Sequence, residues 1–180
     1  DSDIVTEIAS RLAKKCGFIV FPTVSYGVSE EHDPLFNISI EDINLRTFLF
    51  DIFHSIRQSS CFYHPQSVII LNGHHGNVVA LNKLKKEYAR QDWTTEKPRI
   101  CSYWHFMKRE FDHAGFVETS IMLAISDKVK MKKAKKGFTT KGLSEEEIQR
   151  IKKLSTEPGG FPKVAKNGVW GDPTNATKKD

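Results

Sequence analysis

Short unbroken apolar runs, set between longer stretches of helical periodicity, constrain this chain more than any other feature. Ser67-Val68-Ile69-Ile70-Leu71 is the best strand in the sequence. Its apolar side chains fall on both faces of an extended backbone, as expected of a strand buried on both sides. Phe18-Ile19-Val20-Phe21, ended by Pro22, reads the same way, and Ile100 to Trp104 supplies another strand. Between them lie helices. Ile4, Val5, Ile8 and Leu12 stripe a helix over 3–15, with Gly17 as its stop. Ile43, Phe48, Ile52 and Ile56 stripe another from Glu41 to Ile56, with Ser39 as its cap. Val78–Arg90 and Glu118–Ile125 are further helices, and Ser144–Leu154 is a short Glu-started one. Residues 23–40 read as a long loop. Helices alternating with strands in this order predict an α/β fold with a largely parallel sheet.

At 180 residues the chain suits one domain with a real core, and its 39% hydrophobic content argues against disorder. No apolar run approaches the roughly 20 residues of a membrane span, so no membrane partner is expected. The net charge of +5 is unevenly placed. Residues 1–126 carry 13 basic against 15 acidic side chains, and 127–180 carry 14 against 7. The basicity therefore belongs to a lysine-rich stretch (Lys128, Lys130, Lys132, Lys133, Lys135, Lys136). No aromatic residue interleaves those lysines, which favours a solvated surface loop over a nucleic-acid patch. Cys16, Cys61 and Cys101 lack C-x-x-C spacing and read as reduced thiols of a cytoplasmic protein, packed as small apolar residues.

Ligands of open parallel sheets bind beyond the carboxyl ends of strands. The loop Asn72-Gly73-His74-His75-Gly76-Asn77 occupies such a place. Its glycines let backbone approach a ligand, and the segment lacks the pattern of a phosphate loop. His74 and His75 there suit metal ligation or catalysis; alternatively they hydrogen-bond and tighten the turn. His113 precedes the helix that carries Glu118, so both can face one cleft, although a glutamate in a first helical turn also complements the helix dipole. Glu30-Glu31-His32-Asp33 is the densest acid–histidine cluster, but consecutive residues rarely converge on one ion, and the cluster is set aside. His54, His64 and His105 read as structural or exposed.

Several segments, in order along the chain, resemble the creatininase (creatinine amidohydrolase) family. Leu71 to Asn77 resembles its N-G-H-G-G-N loop. Pro22-Thr23-Val24-Ser25-Tyr26-Gly27-Val28-Ser29-Glu30-Glu31-His32 is similar to its P-x-x-x-Y-G-x-S-x-x-H segment. Ser102-Tyr103-Trp104 and His113-Ala114-Gly115-x-x-Glu118-Thr119-Ser120 look like its S-Y-W and H-A-G-x-x-E-T-S signatures. Gly168-Val169-Trp170-Gly171-Asp172-Pro173 matches a late G-V-x-G-D-P turn. The resemblance implies a three-layer α/β/α sandwich, one creatininase-like domain over 1–180, and a homo-oligomer, usually a hexamer. It also implies one or two divalent ions (zinc, iron or manganese).

By the same resemblance Asp1, with Asp3 as fallback, and His74 are metal ligands, and a further E-x-H segment would lie before residue 1. His113 is the general acid and Glu118 assists or orients it. Trp104 forms an aromatic wall on the substrate, with His75 and Asn77 also contacting it. Creatininases proper carry a glutamate where this chain has Gly76, a role Glu118 or His75 would fill. They also carry a longer segment between S-Y-W and H-A-G, which argues against creatinine itself. The implied activity is hydrolysis of a small formamide or cyclic amide by metal-activated water. A ribosylaminopyrimidine phosphate, the substrate of archaeal deformylase relatives, suits the basic surface. The competing expectation is a metal-free relative that binds or assembles.

Overall fold

The computed structural model describes residues 1–59, 67–90, 97–110 and 112–179. Two strands are present among them. β1 (Ile69–Asn72) runs parallel to β2 (Arg99–Ser102), with Ile70 opposite Ile100 and Asn72 opposite Ser102. Parallel pairing requires a crossover, and helix α3 (Val78–Ala89) supplies it. Successive strand residues point to opposite faces. Ile70 and Ile100 therefore share one face, where they pack with Val68 onto Phe53, Leu81, Leu84 and Tyr88. Phe53 belongs to α2 (Asp42–Gln58), which lies against α3. Helix α1 (Ser2–Cys16) packs instead on β1 and on α4 (Phe116–Ile125). Helices thus cover a parallel sheet, and the α/β expectation holds.

Local signals explain most helix boundaries. α1 ends at Gly17, whose φ of 72° is left-handed and whose N–H donates to the Ala13 carbonyl at 2.8 Å. α5 (Glu145–Ser155) opens with a capping box: Ser144 Oγ accepts from the Glu147 N–H, and Glu147 Oε2 accepts from the Ser144 N–H. α2 and α3 are tied by charge as well as by core. Arg46 Nε donates to Asp42 Oδ1 at 2.6 Å, Lys83 Nζ donates to Asp42 Oδ2 at 3.0 Å, and Arg46 Nη1 reaches Glu87. One further turn, α6 (Phe161–Val164), packs on α5 and on the turn Glu30–His32, within the stretch read as loop.

Four expectations need correction. Phe18–Phe21 forms no strand: no described strand pairs with it, and its side chains are 42–68% exposed. On α2 the buried positions are Leu45, Phe53 and Ile56, while Ile43 and Phe48 are about half exposed, because the helix packs on α3 through Phe53, beside the predicted stripe. Ser39 does not cap α2; its Oγ accepts from the Ser29 N–H at 2.8 Å, and Glu41 occupies the cap. β2 ends at Ser102, and Trp104 lies in the tight turn Tyr103–Phe106 that follows.

The lysine-rich stretch is exposed, as expected, but its backbone is anchored. Phe138 N–H donates to the Val169 carbonyl at 2.9 Å, and Asn167 Nδ2 donates to the Lys136 carbonyl at 3.1 Å. Cys16 is exposed rather than packed, and Cys101 is a half-buried thiol that burial pushes up in pKa. Cys61 and His64 lie outside the described residues. Among the described residues, no helix is long and apolar enough to cross a membrane.

Candidate metal centre

The carboxyl end of β1 delivers the loop histidines, and Asn72 fixes how. Its Oδ1 accepts from the His74 N–H at 3.1 Å, while its Nδ2 donates to the His74 carbonyl at 2.9 Å and to Ser102 Oγ at 3.1 Å. Asn72 and Ser102 are buried register partners, so the sheet itself anchors the turn. Gly73 brings the chain against Val5 of α1, where a Cβ would strike the Val5 side chain. A second loop is stapled to the first by Asn77, whose Oδ1 accepts from the Val28 N–H at 2.9 Å and whose Nδ2 donates to Asn72 Oδ1 at 3.3 Å. Asn77, expected from the resemblance to contact substrate, uses these bonds to hold the two loops together.

That staple brings the turn Glu30–His32 over His74. Single ligand atoms of Glu31, His32 and His74 all lie within 4.8 Å of one another. Glu31 Oε1 is 3.1 Å from His74 Nε2 and 3.5 Å from His32 Nε2. His74 Nε2 is itself buried and has no partner in hydrogen-bond geometry. At these separations the imidazole nitrogens and the carboxylate oxygen could all donate to one cation. The donor set of two imidazoles and one carboxylate suits zinc, iron or manganese alike.

Asp1 approaches from the other side. Its Oδ2 lies 3.0 Å from His74 Nδ1, the opposite ring nitrogen from the one that faces Glu31. The residues passed over in the sequence are Glu31 and His32, discounted because they are adjacent. In the tight turn, Glu31 reaches back on its longer stem to the imidazole of its own neighbour. The signal was present, since His32 ends one of the resembling segments. Gly76 is explained by the same packing. A Cβ there would strike the Val28 carbonyl oxygen and lie 2.6 Å from Glu31 Oε1 and 2.7 Å from His74 Nε2. The space beside position 76 is filled by Glu31, and neither His75 nor Glu118 joins the three-residue group.

His113 completes the pocket. Its ring centroid is 5.0 Å from that of His32, and Phe161 lies beside both, at 4.6 and 4.8 Å. His113 Nδ1 donates to the Gly168 carbonyl at 3.1 Å, and its backbone pairs in both directions with Trp170. Its tautomer is thereby set, with Nε2 carrying the lone pair. Burial lowers the pKa of His113 and of His75; burial, then the charge of His113, lowers that of His32. These rings are neutral near pH 7. Burial works to raise the Glu31 carboxyl, but the adjoining His74 imidazole, and to a lesser extent that of His32, hold it below the usual value.

Glu118 is held by the loop that precedes its own helix. Its Oε2 accepts from the Ala114 N–H at 2.5 Å and so supports a residue whose φ of 49° is left-handed. Burial, with the nearby Asp112 charge, raises its pKa. Asp112, which sequence reading passed over, accepts from the Val117 and Glu118 N–H groups at 2.9 and 3.1 Å and caps α4. Trp104 stacks on His75, with centroids 5.6 Å apart and planes 21° from parallel. His105 is exposed, and His54 packs against Phe50 at 4.4 Å.

The chain is 31% identical to a mycofactocin precursor peptide peptidase of Mycobacterium ulcerans (strain Agy99), over 97% of its own length and 64% of that protein's. It is 29% identical to the peptidase of the same name from Mycolicibacterium smegmatis (strain ATCC 700084 / mc(2)155), over 98% and 68%. It therefore spans about two-thirds of the length of these relatives. Among solved structures, a creatininase, type II, carrying a single tryptophan-to-phenylalanine mutation has the same fold. The TM-score is 0.66 at 20% identity, over 97% of this chain and 73% of that one. The family model for creatininase, described as creatinine amidohydrolase, matches residues 1–180, and the chain belongs to that family.

Proposed function

We propose that this chain is the catalytic part of a metal-dependent amidohydrolase that cleaves a peptide C–N bond. The observation that carries the reading is the convergence of Glu31, His32 and His74 around a buried imidazole nitrogen with no hydrogen-bond partner. These three residues would hold the ion, and Asp1, on the far nitrogen of His74, would orient that imidazole and raise its basicity. A divalent ion in such a site supplies Lewis-acid activation of water and of an amide carbonyl. Neutral His113 accepts the proton released from the attacking water at Nε2 and delivers it to the departing nitrogen. That sequence makes it a base before it is the acid expected from sequence. The Gly168 carbonyl keeps Nδ1 protonated throughout, so the ring does not lose its tautomer between the two transfers. Glu118 acts through the Ala114 backbone to hold that loop in place. The stacked pair His75 and Trp104 offers a flat wall for an amide plane.

The peptidase relatives support a peptide as substrate, in place of the small formamide or cyclic amide expected from sequence. The test is to load the full-length protein with zinc, iron or manganese and assay it against a library of short peptides, with creatinine and a formamidopyrimidine in parallel. Peptide cleavage that disappears on chelation and falls by about 10²- to 10⁴-fold in His113→Gln is the expected result. Turnover of the small amides alone would restore the small-amide expectation, and turnover that survives complete removal of metal would rule out the mechanism.

A further inference from the structure

The lysine-rich stretch takes no part in the reaction above, yet it walls a cavity of about 310 Å³. Lys130, Lys133 and Lys135 line it with Thr119 and Asn167; the remaining lining residues are apolar, and none carries a carboxylate. Among the described residues none of the three lysines is ion-paired, whereas Lys178, outside the cavity, pairs with Asp127. Three lysines around a partly apolar concavity give it a positive potential that favours an incoming anion. The wall is also fixed in place. Lys133 N–H donates to the Lys130 carbonyl at 2.8 Å, and the hydrogen bonds from Phe138 and Asn167 described above anchor the stretch to the 167–171 turn.

The position of the cavity gives the charge a use. Ala114, which lines it, directly follows His113, and Asn167 and Val169, which also line it, flank the Gly168 carbonyl that holds His113 Nδ1. The backbone that sets the proton-transferring imidazole is thus the backbone of the cavity wall. We propose that this cavity is a specificity subsite that holds a carboxylate of the peptide substrate, on a side chain or at its C-terminus. The inference rests on the peptidase reading for its choice of ligand. The positive cavity itself does not depend on that reading.

The test uses three synthetic peptides of one length with the metal-loaded full chain. One carries an aspartate and an amidated C-terminus, one is neutral with a free C-terminal carboxylate, and one is neutral and amidated. Turnover gives kcat/KM for each, and fluorescence anisotropy of labelled copies gives binding without turnover. The native protein is expected to prefer at least one carboxylate-bearing peptide over the amidated neutral one by about tenfold. That corresponds to about 1.4 kcal/mol, within the range of hydrogen bonds to charged groups. In Lys133→Ala/Lys135→Ala the preference should collapse toward one, and in Lys133→Glu it should reverse. Which of the two acidic peptides is preferred identifies the source of the carboxylate. Equal treatment of all three peptides by the native protein, or a preference that survives in both variants, overturns the proposal. If no peptide is hydrolysed, the peptidase reading fails, and anisotropy still decides the subsite on the same criteria. The three lysines are exposed, so circular dichroism is expected to show folded variants.

Discussion

Gly76 makes the densest statement of any single residue in the chain. A methyl group there would collide with the Val28 carbonyl and crowd both Glu31 Oε1 and His74 Nε2. Gly76→Ala should therefore lower metal affinity without touching a ligand atom. Isothermal titration with zinc should show a weaker site, by about 10-fold or more, as for disturbed outer partners of a metal site. Ligands and orienting groups should separate in the same assay. His74→Ala removes the central nitrogen and should abolish the tight site. Asp1→Asn keeps a polar partner for Nδ1 and should cost about 10- to 100-fold. Equal losses in the two variants would place Asp1 among the ligands after all. These residues differ in how legible they were. His74 and His113 stood in loops where chemistry is expected, and Asp1 was reached only through a resemblance. Glu31 and His32 were discounted by a rule about adjacent residues that the turn Glu30–His32 escapes.

At the scale of elements, the strongest periodic signals became structure, and the failures share one cause. β1, α1, α3 and α5 were readable because each carries its own pattern together with a stop, a cap or a following loop. Phe18–Phe21 carries the apolar run of a strand, but strand pairing is a property of two segments, and no described strand pairs with it. The buried side of α2 was misjudged by part of a turn, because where α3 lies is not written in α2. What joins α2 to α3 is testable through charge. Burial alone would raise the Asp42 carboxyl, but Arg46 and then Lys83 hold it below its usual value of 3.8. A depressed acid stabilises the fold above its unfolded pKa, and that stability is lost as pH falls through the folded value. Asp42→Asn should therefore lower the urea midpoint at pH 7, and the difference from the native protein should shrink below pH 3.8. A difference that stays constant from neutral pH down to well below that value would show that the ion pairs do not link these helices.

On the scale of the whole molecule, residues remote in sequence are held together by polar staples rather than by one large core. Asn77 ties the 27–28 backbone to the histidine loop, Gly159 N–H donates to the Glu30 carbonyl at 2.8 Å, and Trp170 pairs with His113. The donors at 31, 32 and 74 meet only because these links close, so a cation bound between them should stabilise the folded chain as a unit. At 100 times its dissociation constant a single ion adds about 2.7 kcal/mol to the unfolding free energy. The most direct test of the account is the bound-metal content of the purified full-length protein, compared with that of Glu31→Gln, His32→Ala and His74→Ala after dialysis against a weak chelator. The account predicts at least one tightly held divalent ion per native chain, and its loss together with its thermal stabilisation in all three variants. A native protein that holds no ion, or variants that retain it in full, would contradict a centre built from these residues.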